Sequence, residues 1–304
     1  MDELLAILGP TATGKSGLGM QLSADFDAEI VSADALQIYR GLNIGTAKPT
    51  VEERRLVVHH LIDIREPEES FSAGEFAREA RAVISELGSR GISTILVGGS
   101  GLYLRALLEG MSEIPAVPAR VREELRDRLE TQGLDHLREQ LRRVDPVTET
   151  RLASGDTQRV LRALEVVEAT GSPLSTWLAR EPRQGPRIEA KKIGLTLPRK
   201  LLYDRIRSRV ESMLEAGWLL EVESLLDRGY SGAEPAFQAI GYRQLVRHLR
   251  GGVSLGEAMD DTIRATRRYA KRQLTWFRSD PAVVWFDASD PEGLRQEVLA
   301  WLSG

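Results

Sequence analysis

The chain has 304 residues, 42% of them hydrophobic, which suffices for one large domain or two unequal ones with a full core. No apolar run approaches the roughly 18 residues of a membrane span, and a formal net charge of −4 gives no overall basic signature for nucleic acid. Cysteine is absent, which excludes disulfides, thiolate zinc sites and thiol catalysis and fits a reducing cytoplasm; four scattered histidines do not suggest a histidine-built metal site.

MDELLAILGP begins acidic and runs straight into a glycine loop, so no secretory signal is expected. LLAILG (4–9) reads as a buried strand, and KSGLGMQLSADF as the helix after the loop. EIVSAD (29–34) and HHLIDI (59–64) read as a second and third strand. SAGE (72–75) is a capping box, with Ser72 as N-cap and Glu75 reaching back, opening a helix to about residue 87. ISTILVGG (92–99) is another buried strand. Strands alternating with helices predict an α/β fold of the P-loop NTPase-like kind, a parallel sheet flanked by helices. From about residue 113 the chain turns rich in Arg, Glu and Leu at helical spacing, and KKIGLTL (191–197) is the next strand. The division expected is a core of 1–112 plus 191–304 and a helical insertion of 113–190, with EPRQGPR (181–187) as its exit linker. RKLLYDRIRSRVESML (199–214) reads as a helix with Leu202, Ile206, Val210 and Met213 inward, and VVWFD (283–287) as a late strand.

GPTATGKS (9–16) fits G-x-x-x-x-G-K-[ST] between a strand and a helix. Gly9 and Gly14 let the backbone curl so that N–H groups point inward, and the next helix adds its positive end. Lys15 suits outer phosphate oxygens, and the Ser16 hydroxyl suits Mg²⁺. ATP hydrolysers and many kinases end an apolar strand in an acid that holds Mg²⁺. Here STILV ends in Gly98-Gly99-Ser100, and the carboxylate that ends a strand is Asp34. Aspartate is also a common turn residue. Beside a phosphate loop, where strand ends face the ligand crevice, the catalytic role is preferred.

Arg205 and Arg209 lack acids three or four residues away and sit four apart, so they suggest either an external anion or a solvated basic face. Residues 257–278 form an amphipathic pattern, with Met259, Ile263, Thr266, Ala270, Leu274 and Phe277 as its apolar stripe. Acids come first in it, and Arg264, Arg267, Arg268, Lys271, Arg272 and Arg278 then follow without one. Six bases exceed what a helix dipole needs, which favours a phosphate-backbone strip.

GPTATGKS, SADALQIYRGLNIGTAKP (32–49), HHLIDI, VGGSGLYLRALLEG (97–110), QRVLRALEV (158–166), GYRQ (241–244) and KRQLTWFR (271–278) occur in this order. Together they resemble the tRNA dimethylallyltransferases, or tRNA isopentenyltransferases, of the bacterial type, over nearly the whole chain. Two departures are small: Ala35 stands where the family commonly has serine, and Ser100 where it often has threonine. The resemblance implies transfer of a dimethylallyl group from dimethylallyl diphosphate to the exocyclic amine of the adenosine 3′-adjacent to the anticodon. Its diphosphate site would comprise Gly9, Pro10, Thr11, Ala12, Thr13, Gly14, Lys15, Ser16, Arg205 and Arg209, with Mg²⁺ on Ser16. Asp34 would be the general base. tRNA would meet Asp34, Ala35, Leu36, Gln37, Ser100, Arg122, Gln158, Arg159, Val160, Leu161, Arg162, Gly241, Tyr242, Arg243, Gln244, Lys271, Arg272, Gln273 and Arg278. Gln37 could pair with an adenine edge in bidentate fashion, and Tyr242 could either stack or pack. A cytoplasmic monomer is expected. The rival is a P-loop kinase of a nucleoside or small alcohol that binds ATP in the loop.

Overall fold

The computed structural model describes residues 4–112, 114–180 and 187–303. The expected linker at 181–187, Arg187 apart, lies outside them. By its internal contacts the chain divides into a discontinuous unit, Met1–Leu108 with Ile188–Gly304, and a second unit, Glu109–Arg187.

The larger unit carries six strands: β1 (Leu4–Leu8), β2 (Ala28–Ala33), β3 (His59–His60), β4 (Ser93–Gly98), β5 (Ala190–Thr196) and β6 (Val283–Asp287). They form one sheet in the order β3-β2-β4-β1-β5-β6, and every pairing is parallel. β1 is buried along its whole length, as its unbroken LLAIL run requires. Around the sheet lie α1 (Lys15–Phe26), α2 (Val51–Leu56), α3 (Ala73–Ser89) and α4 (Gly101–Leu108). The Ser72–Glu75 capping box forms at the start of α3.

From β1 the chain crosses over β4 to reach β2. From β4 it later returns past β1 to reach β5. Connections leaving the neighbours β1 and β4 thus run in opposite directions, and the crevice lies at the carboxyl ends of these strands. The phosphate loop leaves β1 there, and Gly98-Gly99-Ser100 leaves β4.

The strand expected over 59–64 is cut to two residues. Leu61 (φ 60°) and Asp63 (φ 56°) turn left-handed, which no strand accommodates. Lys48 and Arg54 hold the Asp63 carboxylate at 2.6 and 2.7 Å and offset that strain.

The second unit holds α5 (Ala119–Val144), α6 (Pro146–Glu149), α7 (Thr157–Thr170) and α8 (Leu174–Leu178). Its core is Leu125, Leu137 and Leu141 of α5 against Val160, Ala163 and Leu164 of α7. The buried Asp145 carboxylate accepts from the Thr148 and Ser175 N–H groups at 3.0 and 2.9 Å, and so ties α6 to α8.

The larger unit continues with α9 (Arg199–Glu215), α10 (Trp218–Asp227), a 3₁₀ turn (Pro235–Gln238), α11 (Tyr242–Leu249), α12 (Leu255–Arg278) and α13 (Pro291–Ser303). Within α9, Leu202, Ile206 and Val210 are buried. Along α12 the buried face is Ala258, Thr262, Ile263, Ala265, Ala270, Gln273 and Phe277.

Gly9 has φ 136°, and a Cβ there would lie 2.6 Å from the Leu195 carbonyl oxygen of β5. Gly9→Ala should cost about 2–4 kcal/mol in urea unfolding, from backbone strain plus overpacking. Gly88→Ala in α3, where a Cβ meets open space, should be stabilising by about 0.5–1 kcal/mol.

Candidate functional site

A cavity of about 790 Å³ opens at this crevice. Its phosphate-loop wall comprises Thr11, Ala12, Gly14, Lys15 and Ser16. Ala12 (φ 66°) and Gly14 (φ 92°) are both left-handed, and such turns draw successive N–H groups to one side. Left-handed alanine is strained backbone of the kind that persists at ligand-binding loops. Gly9, Pro10 and Thr13 support the loop from behind: the buried Thr13 hydroxyl donates to the Pro10 carbonyl at 2.9 Å, and the Lys15 ammonium donates to the same oxygen at 2.7 Å. The Thr11 N–H is already taken, donating to Gln273 Oε1 at 2.9 Å. It is thus withdrawn from the inward-pointing set expected of the loop.

Asp34 stands just beyond β2 and lines the same cavity. One carboxylate oxygen accepts from the Leu36 N–H at 2.8 Å, which fixes its rotamer. Ser100 ties the exits of β2 and β4 together: its N–H donates to Ala33 at 3.3 Å, and its Oγ accepts from the Ala35 N–H at 3.1 Å.

Three charged groups share this space. Burial, then the neighbouring Arg209 guanidinium, lowers the Lys15 ammonium to about 7, while Asp34 works against both. Lys15 keeps some surface toward the cavity it lines, yet protein crowds its ammonium. Burial also depresses Arg209, and Asp34 again opposes. The Tyr269 hydroxyl, enclosed beside them, is pushed up to about 12 by burial and then by Asp34.

Of the residues expected to bind, Asp34, Ala35, Leu36, Gln37, Ser100, Arg209, Arg243, Arg272 and Gln273 all line the cavity. Several roles need correction. Arg205 is not among the lining residues; its guanidinium donates to the Ala288 carbonyl at 3.3 Å. Tyr242 is fully buried, and its hydroxyl donates to Glu221 at 2.6 Å, so it cannot stack on a base. Gln244 is buried and accepts from the Gly241 N–H at 2.8 Å, as a cap for α11. Gln37 has spent its amide: Nε2 donates to the Thr46 and Ala47 carbonyls at 3.3 and 3.2 Å, and Oε1 accepts from Ser32 at 2.9 Å. With both Nε2 hydrogens engaged, it has no donor for bidentate pairing with adenine. Gln273 staples the crevice, since its Nε2 donates to the Gly99 carbonyl at 2.9 Å.

The basic strip of α12 divides. Arg264 pairs with Asp261, and Arg267 lies 4.7 Å over the Tyr203 ring. Arg268 and Arg272 line the cavity, while Lys271 and Arg278 are exposed. In the second unit Gln158 and Arg159 are exposed and Arg122 is half-buried. Val160 belongs to the core, Leu161 packs against it, and Arg162 pairs with Glu165 at 3.3 Å. The apolar lining, including Met20, Ile30, Val97, Ile206, Val210 and Met213, carried no motif and was not anticipated.

Among the described residues, no three His, Asp or Glu side chains group to hold a metal. The Ser16 hydroxyl is exposed at the cavity. One hard oxygen donor beside a phosphate loop fits Mg²⁺, which keeps most of its shell from water and phosphate.

A phosphate cradle at the switch point of a parallel sheet, faced by one carboxylate and a row of arginines, defines a P-loop α/β protein built for an anionic ligand. A family model described as "IPP transferase" matches residues 37–280. The tRNA dimethylallyltransferase of Magnetococcus marinus is 45% identical over 296 residues, 96% of each chain. The crystal structure of the full-length tRNA isopentenylpyrophosphate transferase of Bacillus halodurans is 40% identical, with a TM-score of 0.73 over 100% of this chain and 96% of that one. A eukaryotic dimethylallyltransferase captured acting on tRNA gives 0.79 at 26% identity, over 95% of this chain and 75% of that one. The chain belongs to the IPP transferase family.

Between pH 7 and 10 the unfolded chain keeps a proton on Lys15 that the folded chain has lost. Stability should therefore rise with pH across that window, and Lys15→Met should flatten the rise in urea unfolding. A charge-assisted contact is worth about 1.5–3 kcal/mol. Arg209→Ala should thus raise the KM for a prenyl diphosphate roughly ten- to hundredfold, and Arg205→Ala should leave it unchanged, in steady-state kinetics.

Proposed function

We propose that this chain transfers the dimethylallyl group of dimethylallyl diphosphate to the exocyclic amine of the adenosine 3′-adjacent to the anticodon in tRNA, releasing diphosphate. The observation that carries it is the placement of Lys15, Arg209 and Asp34 on one cavity, two cations and a carboxylate within electrostatic reach. Lys15, Arg209 and the loop N–H groups grip the diphosphate and stabilise the charge that grows on it as the allylic C–O bond breaks. The adenine nitrogen forms the new C–N bond, and its proton passes to Asp34. Ser16 would hold Mg²⁺, which supplies further stabilisation of the departing diphosphate.

The adenosine must swing out of the stacked loop to reach Asp34, at about a few kcal/mol. Arg243, Arg268 and Arg272 border the cavity that would receive it. In the second unit Gln158, Arg159 and Arg122 would meet the anticodon arm, while Val160 and Leu161 support them from the core. Exposed Lys271 and Arg278 would take backbone phosphates. A monomer belongs to the same reading, and a tRNA substrate suits the cytoplasm.

The kinase alternative has less support, because β4 ends in Gly98-Gly99-Ser100 and the relatives are named for prenyl transfer. Labelled dimethylallyl diphosphate with tRNA should yield labelled tRNA and free diphosphate. Label passing from ATP to an acceptor, with none from the prenyl donor, would overturn the proposal. Asp34→Asn should bind tRNA normally and lose at least about a hundredfold in kcat, the scale of general-base catalysis; near-normal turnover would remove Asp34 from the proton transfer.

A further inference from the structure

Glu221 of α10 sits outside the cavity lining, yet its carboxylate gathers a dense set of donors. It accepts from the Asn43 and Ile44 N–H groups at 2.8 and 2.7 Å, from the Gly45 N–H at 3.4 Å, and from the Tyr242 hydroxyl at 2.6 Å. Three consecutive backbone donors on one carboxylate form an anion nest, closed here by a side chain of the protein itself. Beside it the Trp218 ring fills the space where Gly45 and Gly241 would carry side chains: a Cβ would meet it at 2.0 and 1.9 Å. Glu221 and Trp218 thus join the Asn43-Ile44-Gly45 segment to the Gly241-Tyr242 segment.

The grip continues toward the reacting centre. Beyond the turn, the Thr46 and Ala47 carbonyls accept both hydrogens of Gln37 Nε2. Gln37 Oε1 accepts from Ser32 on β2. Gln37 closes the short turn that begins at Asp34, whose carboxylate is fixed by the Leu36 N–H. Residues 45–49 also form part of the cavity wall.

We propose that Glu221 is a positioning residue for the transfer, holding the 43–45 turn and, through Gln37, the segment that presents Asp34. The inference rests on the prenyl-transfer reading. A hydrogen-bonded carboxylate outside the cavity can set the geometry of a base without touching substrate, and small misplacements of a reacting group cost large factors in rate.

The test compares wild type with Glu221→Gln, Glu221→Asp and Val222→Ala, the last a buried α10 neighbour whose side chain has no polar group to offer the turn. The measurements are kcat and KM on tRNA, the Kd of inorganic diphosphate by calorimetry, and the melting temperature. Glu221→Gln removes the charge and one acceptor. It should lower kcat at least tenfold, while the Kd for inorganic diphosphate stays within twofold, because the phosphate loop and Arg209 do not depend on the turn. Glu221→Asp should recover part of kcat. Should Glu221→Gln fail to fold, Tyr242→Phe takes its place, with an expected threefold fall in kcat at unchanged diphosphate affinity. Transfer by wild type with a kcat drop no larger than that of Val222→Ala would overturn the positioning role and leave the functional reading standing. No transfer by wild type would overturn both.

Discussion

Two cations are held in one enclosed space without enough acid to neutralise them, and the rest of the site is arranged around that. Six basic and two acidic side chains line the cavity of a chain whose formal net charge is −4. Lys48, one of the six, is spoken for by Asp63. Lys15 and Arg209 share Asp34, and burial first, then the Arg209 charge, loosens the Lys15 proton. Charge left unpaired at low dielectric is costly, and a multiply charged anion removes the cost on binding. The cradle is therefore less comfortable empty than full, which is how a rigid site converts its own electrostatic stress into affinity.

Keeping that stress requires a scaffold that does not relax, and it is built from parts distant in sequence. Gly9 brings the loop against the Leu195 carbonyl. Gln273 of α12 bonds to Thr11 on one loop and to Gly99 on the other. A Cβ on Gly99 would lie 2.2 Å from the Gln273 amide nitrogen, so the approach needs glycine there. One buried amide thus sets the spacing of the two loops that flank the switch point. It does so by using a phosphate-loop N–H that would otherwise face a ligand.

The sheet and the phosphate loop were legible because their signals are local. An apolar run, a glycine loop and a helix follow one another within 23 residues, and α1 and β6 begin and end where their sequences change character. The reading of 59–64 as one strand follows the apolar Leu61, Ile62 and Ile64, while the left-handed turn at Leu61 and Asp63 is held by Lys48 and Arg54, whose pairing with Asp63 no local pattern signals. Arg205 and Arg209 look alike on a helix, since both lack local acids. What separates them is a carbonyl at Ala288, 83 residues away, that claims one of them. The polar residues of GYRQ and Gln37 were assigned to RNA for the same reason. The partners of Tyr242 and Gln37, which are Glu221, Thr46 and Ala47, are set by packing that no spacing rule encodes, whereas Gln244 caps Gly241 three residues back, a local spacing the sequence does carry.

The same loop serves ATP-consuming proteins, so its use here turns on what stands opposite. A kinase must hold the phosphoryl group that moves, with an acid near the loop to order Mg²⁺ and a nucleophile in line with it. In this chain the strand next to β1 ends in Gly98-Gly99-Ser100, and the Ser100 hydroxyl oxygen accepts from the Ala35 N–H. Asp34 comes from the next strand over, displaced sideways by one strand spacing of about 4.8 Å. That displacement leaves room for something between carboxylate and cradle. Met20, Ile30, Val97 and Met213 along the cavity give it apolar walls. Walls of this kind match an apolar group tethered to a phosphate better than a further charged phosphate. The arrangement accords with the proposed transfer, in which the cradle keeps the fragment that departs and the carboxylate serves the partner that receives the rest.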